Sequence, residues 1–256
     1  MVFQIADLSM GPAREKTLRF ECVARTHAGC KRKINEDAML SRPDLGLWAV
    51  ADGMGGHEAG EVASALVVHL LAESPPKPEL PARIDAAWAA LQEANRQLLS
   101  MAQASETKRT IGSTIVLITV AESAFACLWA GDSRAYLVRD GVLEQLTHDH
   151  SLVQELVDSG DIDPESASIH PNANIILRAV GATPELEIDR VEGQVGAGDV
   201  FLLASDGLTR LVSDGELLNA LQAPDLEAAA DRLLKLCLDR KAPDNVTFII
   251  VRTHAQ

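Results

Sequence analysis

The chain predicts an α+β fold, built as layers rather than as a regularly alternating parallel sheet. Two observations carry this. The element order is strands, two helices, strands, then two helices, a segregation that favours stacked layers. The strand candidates are short apolar runs bounded by Gly, Asp and Asn, whereas the helical segments carry their apolar residues at a 3.6-residue period. A chain of 256 residues with 47% hydrophobic residues can bury a substantial core, and with 4% aromatics that core is mostly Leu, Val, Ile and Ala.

In chain order, strands are expected at Leu18–Ala24, Ala38–Ser41 and Leu47–Ala51. A helix follows at Glu58–Ala72, with Val62, Leu66 and Leu70 on one face. The proline-rich stretch 73–81 ends it and forms an exposed linker. A long alanine-rich helix then runs from Ala82 to Gln103, carrying Ile84, Trp88, Leu91, Leu98 and Leu99. Further strands are expected at Ser113–Val120, Ala124–Ala130, Arg134–Arg139, Val200–Ala204 and Val246–Arg252, with a tight Asp-Gly turn at Arg139–Val142. Helices are expected at Ser213–Leu221, where Ser213 and Glu216 form a capping box, and at Leu226–Leu238. Residues 149–184 fit neither period. They read as an irregular, flap-like surface lobe with one short helix at Leu152–Ser159, of the kind that shapes substrate access. The whole of 1–256 reads as one domain.

A net charge of −14 argues against nucleic acid and against an anionic membrane surface as partners. The start of the chain has no apolar signal core, and Ala63–Ala72 is too short to span a bilayer. Cys22, Cys30, Cys127 and Cys237 show no paired spacing, which suits free thiols and a cytoplasmic location.

Three acidic turns carry the chemistry. Asp52 and Asp206 each follow an apolar run, in Ala51-Asp52-Gly53-Met54-Gly55-Gly56 and Ser205-Asp206-Gly207; Asp244-Asn245 precedes the last strand. A carboxylate at a strand end is rigidly held yet can reach solvent. Three converging there would repel one another unless a cation sat between them. Oxygen-only ligands favour Mg²⁺ or Mn²⁺ over zinc. Taken singly, each such dipeptide is also an ordinary turn.

Further segments accompany them: Arg32-x-x-Asn35-Glu36-Asp37, His57 after the glycines, Gly112-Ser113-Thr114, Gly131-Asp132-Ser133-Arg134 and Ser205-Asp206-Gly207-Leu208-Thr209. In order and spacing, over about residues 20–252, the set resembles the bacterial form of the metal-dependent serine/threonine protein phosphatases, the PPM or type 2C family. The resemblance implies a four-layer α/β/β/α sandwich with two central, mostly antiparallel sheets and a dinuclear metal site at one end. It implies that Asp52 bridges two Mg²⁺ or Mn²⁺ ions, that the Gly53 carbonyl binds one, and that Asp206 and Asp244 complete the other. Arg32 would hold the substrate phosphate, Glu36 and Asp37 would hold metal-bound waters, and Asp132 matches the ligand of a weak third metal.

Such a pair of ions would lower the pKa of a shared water and supply a nucleophile near neutral pH. The planar fork of Arg32 suits phosphate oxygens. The activity implied is hydrolysis of phosphoserine and phosphothreonine in proteins, opposing a serine/threonine kinase in signalling or secretion-system control, by a monomer. A small phosphate-ester hydrolase and a non-catalytic phosphoprotein-binding module on the same fold stay open as alternatives. A cysteine phosphatase fails on spacing, because no arginine stands six residues after any of the cysteines.

Two departures from the family pattern stand out. Arg210 lies four residues after Asp206, where the family commonly has another aspartate. This predicts a weak or absent third metal, or an ion pair from Arg210 to Asp132 in its place. Met54 stands where some members have a histidine, so leaving-group protonation would fall to His57 or to a metal-bound water. Several suggestive features read more simply as structure. His148-Asp-His150 resembles a metal pair but runs into a helix start. Cys30, near Arg32, reads as a small buried thiol rather than a redox switch. The strand–turn–helix at Leu47–Ala72 lacks dinucleotide-binding glycine spacing.

Overall fold

The computed structural model describes residues 18–55, 59–75, 77–104, 110–167 and 170–255. The first half carries β1 (Leu18–His27), β2 (Asp37–Arg42), β3 (Leu47–Met54), α1 (Ala59–Ala72), α2 (Leu80–Ala104), β4 (Gly112–Ser113), β5 (Ile115–Ala121) and β6 (Ala124–Ala130). Then follow β7 (Arg134–Arg139), β8 (Val142–Gln145), α3 (Leu152–Asp158), α4 (Pro164–Ala167), β9 (Asp189–Gln194) and β10 (Val200–Ala204). The chain closes with α5 (Asp206–Thr209), α6 (Asp214–Leu221), α7 (Leu226–Asp239) and β11 (Val246–Ala255).

Two sheets stack face to face. One has the order β1-β11-β10-β7-β8; the other runs β2-β3-β5-β6-β9, with β4 paired to β3. Every strand pairing is antiparallel. Side-chain alternation explains the layering. Trp48 and Val50 of β3 enter the core between the sheets, while Ala49 and Ala51 face α1 and α2. Phe201 and Leu203 of β10 enter the same central core, while Leu202 and Ala204 face the C-terminal helices. Phe125 and Phe201 meet edge-to-face across the sheets, with centroids 5.1 Å apart. Both faces of these strands are covered, which is why they read as continuous apolar runs. The result is the expected α/β/β/α sandwich.

Four local expectations need correction. Cys30, expected as a buried thiol, is exposed on the basic loop. The buried stripe of α1 is Gly60, Ala63, Ser64, Val67 and Leu71; Val62 is exposed, and Leu66 and Leu70 lie at the edge of the contact. Small residues let α1 approach β2 and β3 closely, so the largest side chains do not mark the core face. Strands β8 and β9 were not anticipated. Both are edge strands with polar residues, and β9 alternates half-buried with exposed positions. The 149–184 lobe holds a second short helix, α4, beside α3. Elsewhere the local chemistry is as expected: Asp140 and Gly141 take the positive φ values of the Asp-Gly hairpin, 51° and 79°. The Ser213–Glu216 capping box also forms.

Strand registers bring the functional turns to one end of the sandwich. Asp37 at the start of β2 lies opposite Asp52 near the end of β3. At the end of β10, Ser205 N donates to Thr247 O at the start of β11 (2.9 Å), setting Asp206 beside Asp244-Asn245. The turn after β6 supplies Asp132.

Candidate metal centre

The backbone around Asp52 is fixed by its neighbours. Asp52 N donates to Thr114 Oγ1 (3.0 Å), and Asp52 O accepts from Thr114 N (2.8 Å) and Ser113 Oγ (3.0 Å). Thr114 Oγ1 in turn bonds Ser133 Oγ (2.7 Å), which ties the Asp132 turn to the Asp52 turn. Gly53 N donates to Glu36 O (3.1 Å). A Cβ at Gly53 would run into the backbone carbonyls of Gly60 and Glu36, so only glycine allows this approach.

Asn245 is the staple of the opposite wall. Its Oδ1 accepts from Glu36 N (2.8 Å), and its Nδ2 donates to Ala28 O and Ile34 O (3.0 Å each). The basic loop bearing Arg32 is thereby fastened to β11. Ser205 Oγ donates to Asp37 Oδ2 (2.9 Å). Ser64 Oγ on α1 donates to Glu36 O (2.6 Å).

The electrostatics of this end are unfavourable for carboxylates alone. Desolvation and the mutual repulsion of Asp37, Asp52, Asp132, Asp206 and Asp244 act together. Asp37 and Asp132 are pushed up to about 7, chiefly by desolvation. Desolvation, then the charge of Asp37, holds Asp52 well above the usual carboxylate range, and Asp206 and Glu36 are raised by desolvation first. Five buried side-chain polar atoms among the described residues lack a hydrogen-bond partner; four are Glu36 Oε1, Asp37 Oδ1, Asp132 Oδ1 and Asp206 Oδ1. Orphaned oxygens of this kind in one acidic cluster are what a hard divalent cation would satisfy.

The arginines occupy part of that role. Arg32 is half-exposed and its Nη2 contacts Asp244 Oδ2 at 2.8 Å, so the expected phosphate ligand rests on a metal-ligand candidate. Arg210 Nη2 contacts Asp132 Oδ2 (3.1 Å) and Asp206 Oδ2 (3.0 Å). Among the described residues no three His, Cys, Asp or Glu side chains form a ready-made ligand set. The buried oxygens left for an ion are those of Glu36, Asp37, Asp132 and Asp206, and Asp244 would join them by releasing Arg32.

The chain is similar in sequence to the family model for protein phosphatase 2C over residues 14–156, and to that for stage II sporulation protein E over 177–254. It belongs to the protein phosphatase 2C family. The serine/threonine protein phosphatase PstP of Mycobacterium tuberculosis is 40% identical over 91% of this chain, which spans only 45% of that protein's length. The serine/threonine phosphatase stp of Listeria monocytogenes is 36% identical over 89% of this chain and 93% of its own. Among solved structures, PppA of Pseudomonas aeruginosa, described as a key regulatory component of T6SS, is 42% identical. It superposes with a TM-score of 0.85 over 91% of this chain and 97% of its own. The PstP catalytic domain in complex with two manganese ions is 39% identical, with a TM-score of 0.83 over 93% of this chain and 100% of its own.

The phosphatase 2C motifs thus converge: Arg32, Glu36, Asp37, Asp52, Gly53, Asp132, Asp206 and Asp244 share one end of the sandwich. His57 and Gly56 lie outside the described residues. The histidine pair does not converge. His148 Nε2 pairs with Asp158 (2.7 Å), while buried His150 accepts from Gly131 N and pairs with Asp189 (3.2 Å each). Sequence reasoning did not assign roles to Ser64, Thr114, Ser133, Ser205 or Asn245. The signal available was polar residues inside or beside motif segments that otherwise read as buried.

Proposed function

We propose that this chain hydrolyses phosphoserine and phosphothreonine monoesters in proteins at the acidic end of the sandwich, with two divalent cations. The observation that carries the proposal is the cluster of carboxylates with unpartnered buried oxygens in a phosphatase 2C fold. Asp52 would be shared by both ions, the Gly53 carbonyl would bind one, and Asp206 and Asp244 would bind the other. Mg²⁺ and Mn²⁺ both suit these ligands. When bound, the ions supply charge neutralisation and activation of water at neutral pH.

The chain's own groups do the rest. Arg32 presents a half-exposed guanidinium at the rim and binds the phosphate oxygens bidentately. Glu36 and Asp37 orient water. Asp37 offers its unpartnered Oδ1 to that water, and the bound cations would compensate the burial that raises this carboxyl in the metal-free chain. Gly53 lets the backbone approach, and Asn245 and Thr114 keep the two walls in register. The whole acts as one monomeric domain in the cytoplasm, opposing a serine/threonine kinase. Among the described residues no helix is long and apolar enough to cross a membrane.

The test is phosphate release from phosphoserine and phosphothreonine peptides, compared with small phosphate esters, with Mn²⁺ and with chelator. Preferred turnover of the peptides, dependent on Mn²⁺ and reduced at least about a hundredfold by Asp52→Asn, is expected. Intact turnover in Asp52→Asn would remove the two-ion mechanism, and preference for small esters would replace the substrate assignment.

A further inference from the structure

Arg210 caps the short helix α5, its N–H donating to Asp206 O (2.9 Å). Its side chain gathers oxygens from three separate parts of the chain. Nη2 lies 3.1 Å from Asp132 Oδ2 in the β6–β7 turn and 3.0 Å from Asp206 Oδ2. The same nitrogen donates to Ala173 O (3.0 Å), and Nη1 donates to the Asn174 side-chain oxygen, both in the 149–184 lobe. The two carboxylates are nearly closed off from solvent, with side-chain exposures of 5% and 15%. Two such anions facing one point demand a positive charge there, and charge-assisted bonds in that setting are the strong ones. A guanidinium meets the demand permanently, since it does not deprotonate and no chelator removes it.

We infer that Arg210 is a built-in cation that fills the position between Asp132 and Asp206, and that it latches the Ala173–Asn174 segment of the lobe against the acidic centre. Among the described residues, the backbone of 173–177 is otherwise bonded within the lobe, Leu152 N donating to Ile175 O (2.9 Å) and Leu177 N to His150 O (2.8 Å). The two ends of the lobe are held to the sandwich separately, by the Arg134–Asp149 pair (2.8 Å) and by Val180 N donating to Ser113 O (2.9 Å), and Arg210 ties the middle segment to its floor. It also stands in the wall of a cleft of about 470 Å³ that runs from Asp132 and Asp206 to Val153, Val157 and Pro164 of the lobe. A divalent ion could enter between Asp132 and Asp206 only by displacing the guanidinium, and the lobe would then lose both of its bonds to it. The site therefore excludes a third ion, and lobe order is independent of metal concentration. Arg210 is a positioning residue: it sets the cleft wall rather than touching the phosphate.

Two measurements test this. The first is amide hydrogen exchange on the full chain, without metal and with Mn²⁺ alone. In the wild type, exchange at residues 173–177 is expected to be slow and unchanged by Mn²⁺. Arg210→Ala should speed it at least about tenfold, with β10 and β11 as protected as before. If that variant loses β10 and β11 protection, Arg210→Gln, which keeps a shorter hydrogen-bonding head, is measured in its place with the same expectation. The second is Mn²⁺ stoichiometry by equilibrium dialysis, with two ions for the wild type and three for Arg210→Asp. Arg210→Lys, which keeps the charge, should hold the count at two. Unchanged exchange in the variants overturns the latch, and a third Mn²⁺ on the wild type overturns the built-in cation. The ion count rests on the proposed dinuclear centre. The exchange experiment without metal does not, so the two failures are distinguishable.

Discussion

Asp37→Asn should make the metal-free protein more stable while impairing its activity. Asp37 lies opposite Asp52 in the β2–β3 pair, with Oδ2 bonded to Ser205 Oγ and Oδ1 unpartnered. Its carboxyl is pushed from 3.8 to about 7 by desolvation, with the charges of Asp206 and Asp244 adding to the effect. Ionising it inside the fold thus costs at most about 4 kcal/mol, which partial solvent access and relaxation reduce to about 2 kcal/mol. An asparagine oxygen can still accept from Ser205, so the substitution removes the cost and keeps the bond. For a chain of this size about 2 kcal/mol raises Tm by roughly 4–8 °C.

The pH dependence follows from the raised value. Well below pH 3.8 the carboxyl is protonated in both the folded and the unfolded chain, and the wild type carries no penalty. As pH rises from there through about 7, the unfolded chain releases the proton first and the wild type loses stability. The advantage of Asp37→Asn is therefore largest at pH 8, shrinks as pH falls through 5 and disappears well below 3.8. Calorimetric melts with chelator at these pH values measure it. Saturating Mn²⁺ should narrow or reverse the difference, because the ion neutralises the charge the variant lacks. An Asp37→Asn protein that melts no higher than wild type at pH 8, or whose advantage is the same at pH 5, would refute the claim that uncompensated charge is held at this site.

Other consequences concern the frame. Gly53→Ala forces a Cβ into the carbonyls of Gly60 and Glu36; a loss of about 3 kcal/mol or more is expected, read as the urea midpoint. Arg83 donates to the carbonyls of Leu45, Lys77 and Val120, with no carboxylate partner among the described residues, and so pins the proline-rich linker to the end of β5. Arg83→Ala should cost about 1–3 kcal/mol and raise protease cleavage near residue 77, with phosphate release per folded molecule unchanged.

The legible part of this molecule was its contiguous chemistry. Asp52, Asp206 and Asp244 announce themselves because each sits where an apolar run meets a turn, a local pattern with a physical cause. The strand cores were legible for the same reason: both faces of β3, β10 and β11 are buried, so their apolar runs are unbroken. What escaped was set by tertiary packing. The stripe of α1 that packs begins with small residues, Gly60, Ala63 and Ser64, and continues through Val67 and Leu71, so a count of large side chains misplaces it. Edge strand β9 carries Asp189, Arg190 and Glu192 and looks like a loop until Cys127 and Leu128 are seen pairing with it. The Arg210–Asp132 pair is one of the two outcomes that the departure from the family pattern predicts, but the bonds of Arg210 to Ala173 and Asn174 depend on how the lobe folds back. Asn245 was noticed as a neighbour of Asp244, whereas its staple reaches Ala28 and Ile34, more than 200 positions away in sequence.

The central claim, a dinuclear cation centre on Asp52, Asp206 and Asp244, is tested most directly by an anomalous difference map from crystals soaked in Mn²⁺. Two peaks are predicted, both within bonding distance of Asp52 oxygens, with Asp206 and Asp244 on one and the Gly53 carbonyl on the other. A map with no peak at Asp52, or with a single ion not shared by it, would contradict the account.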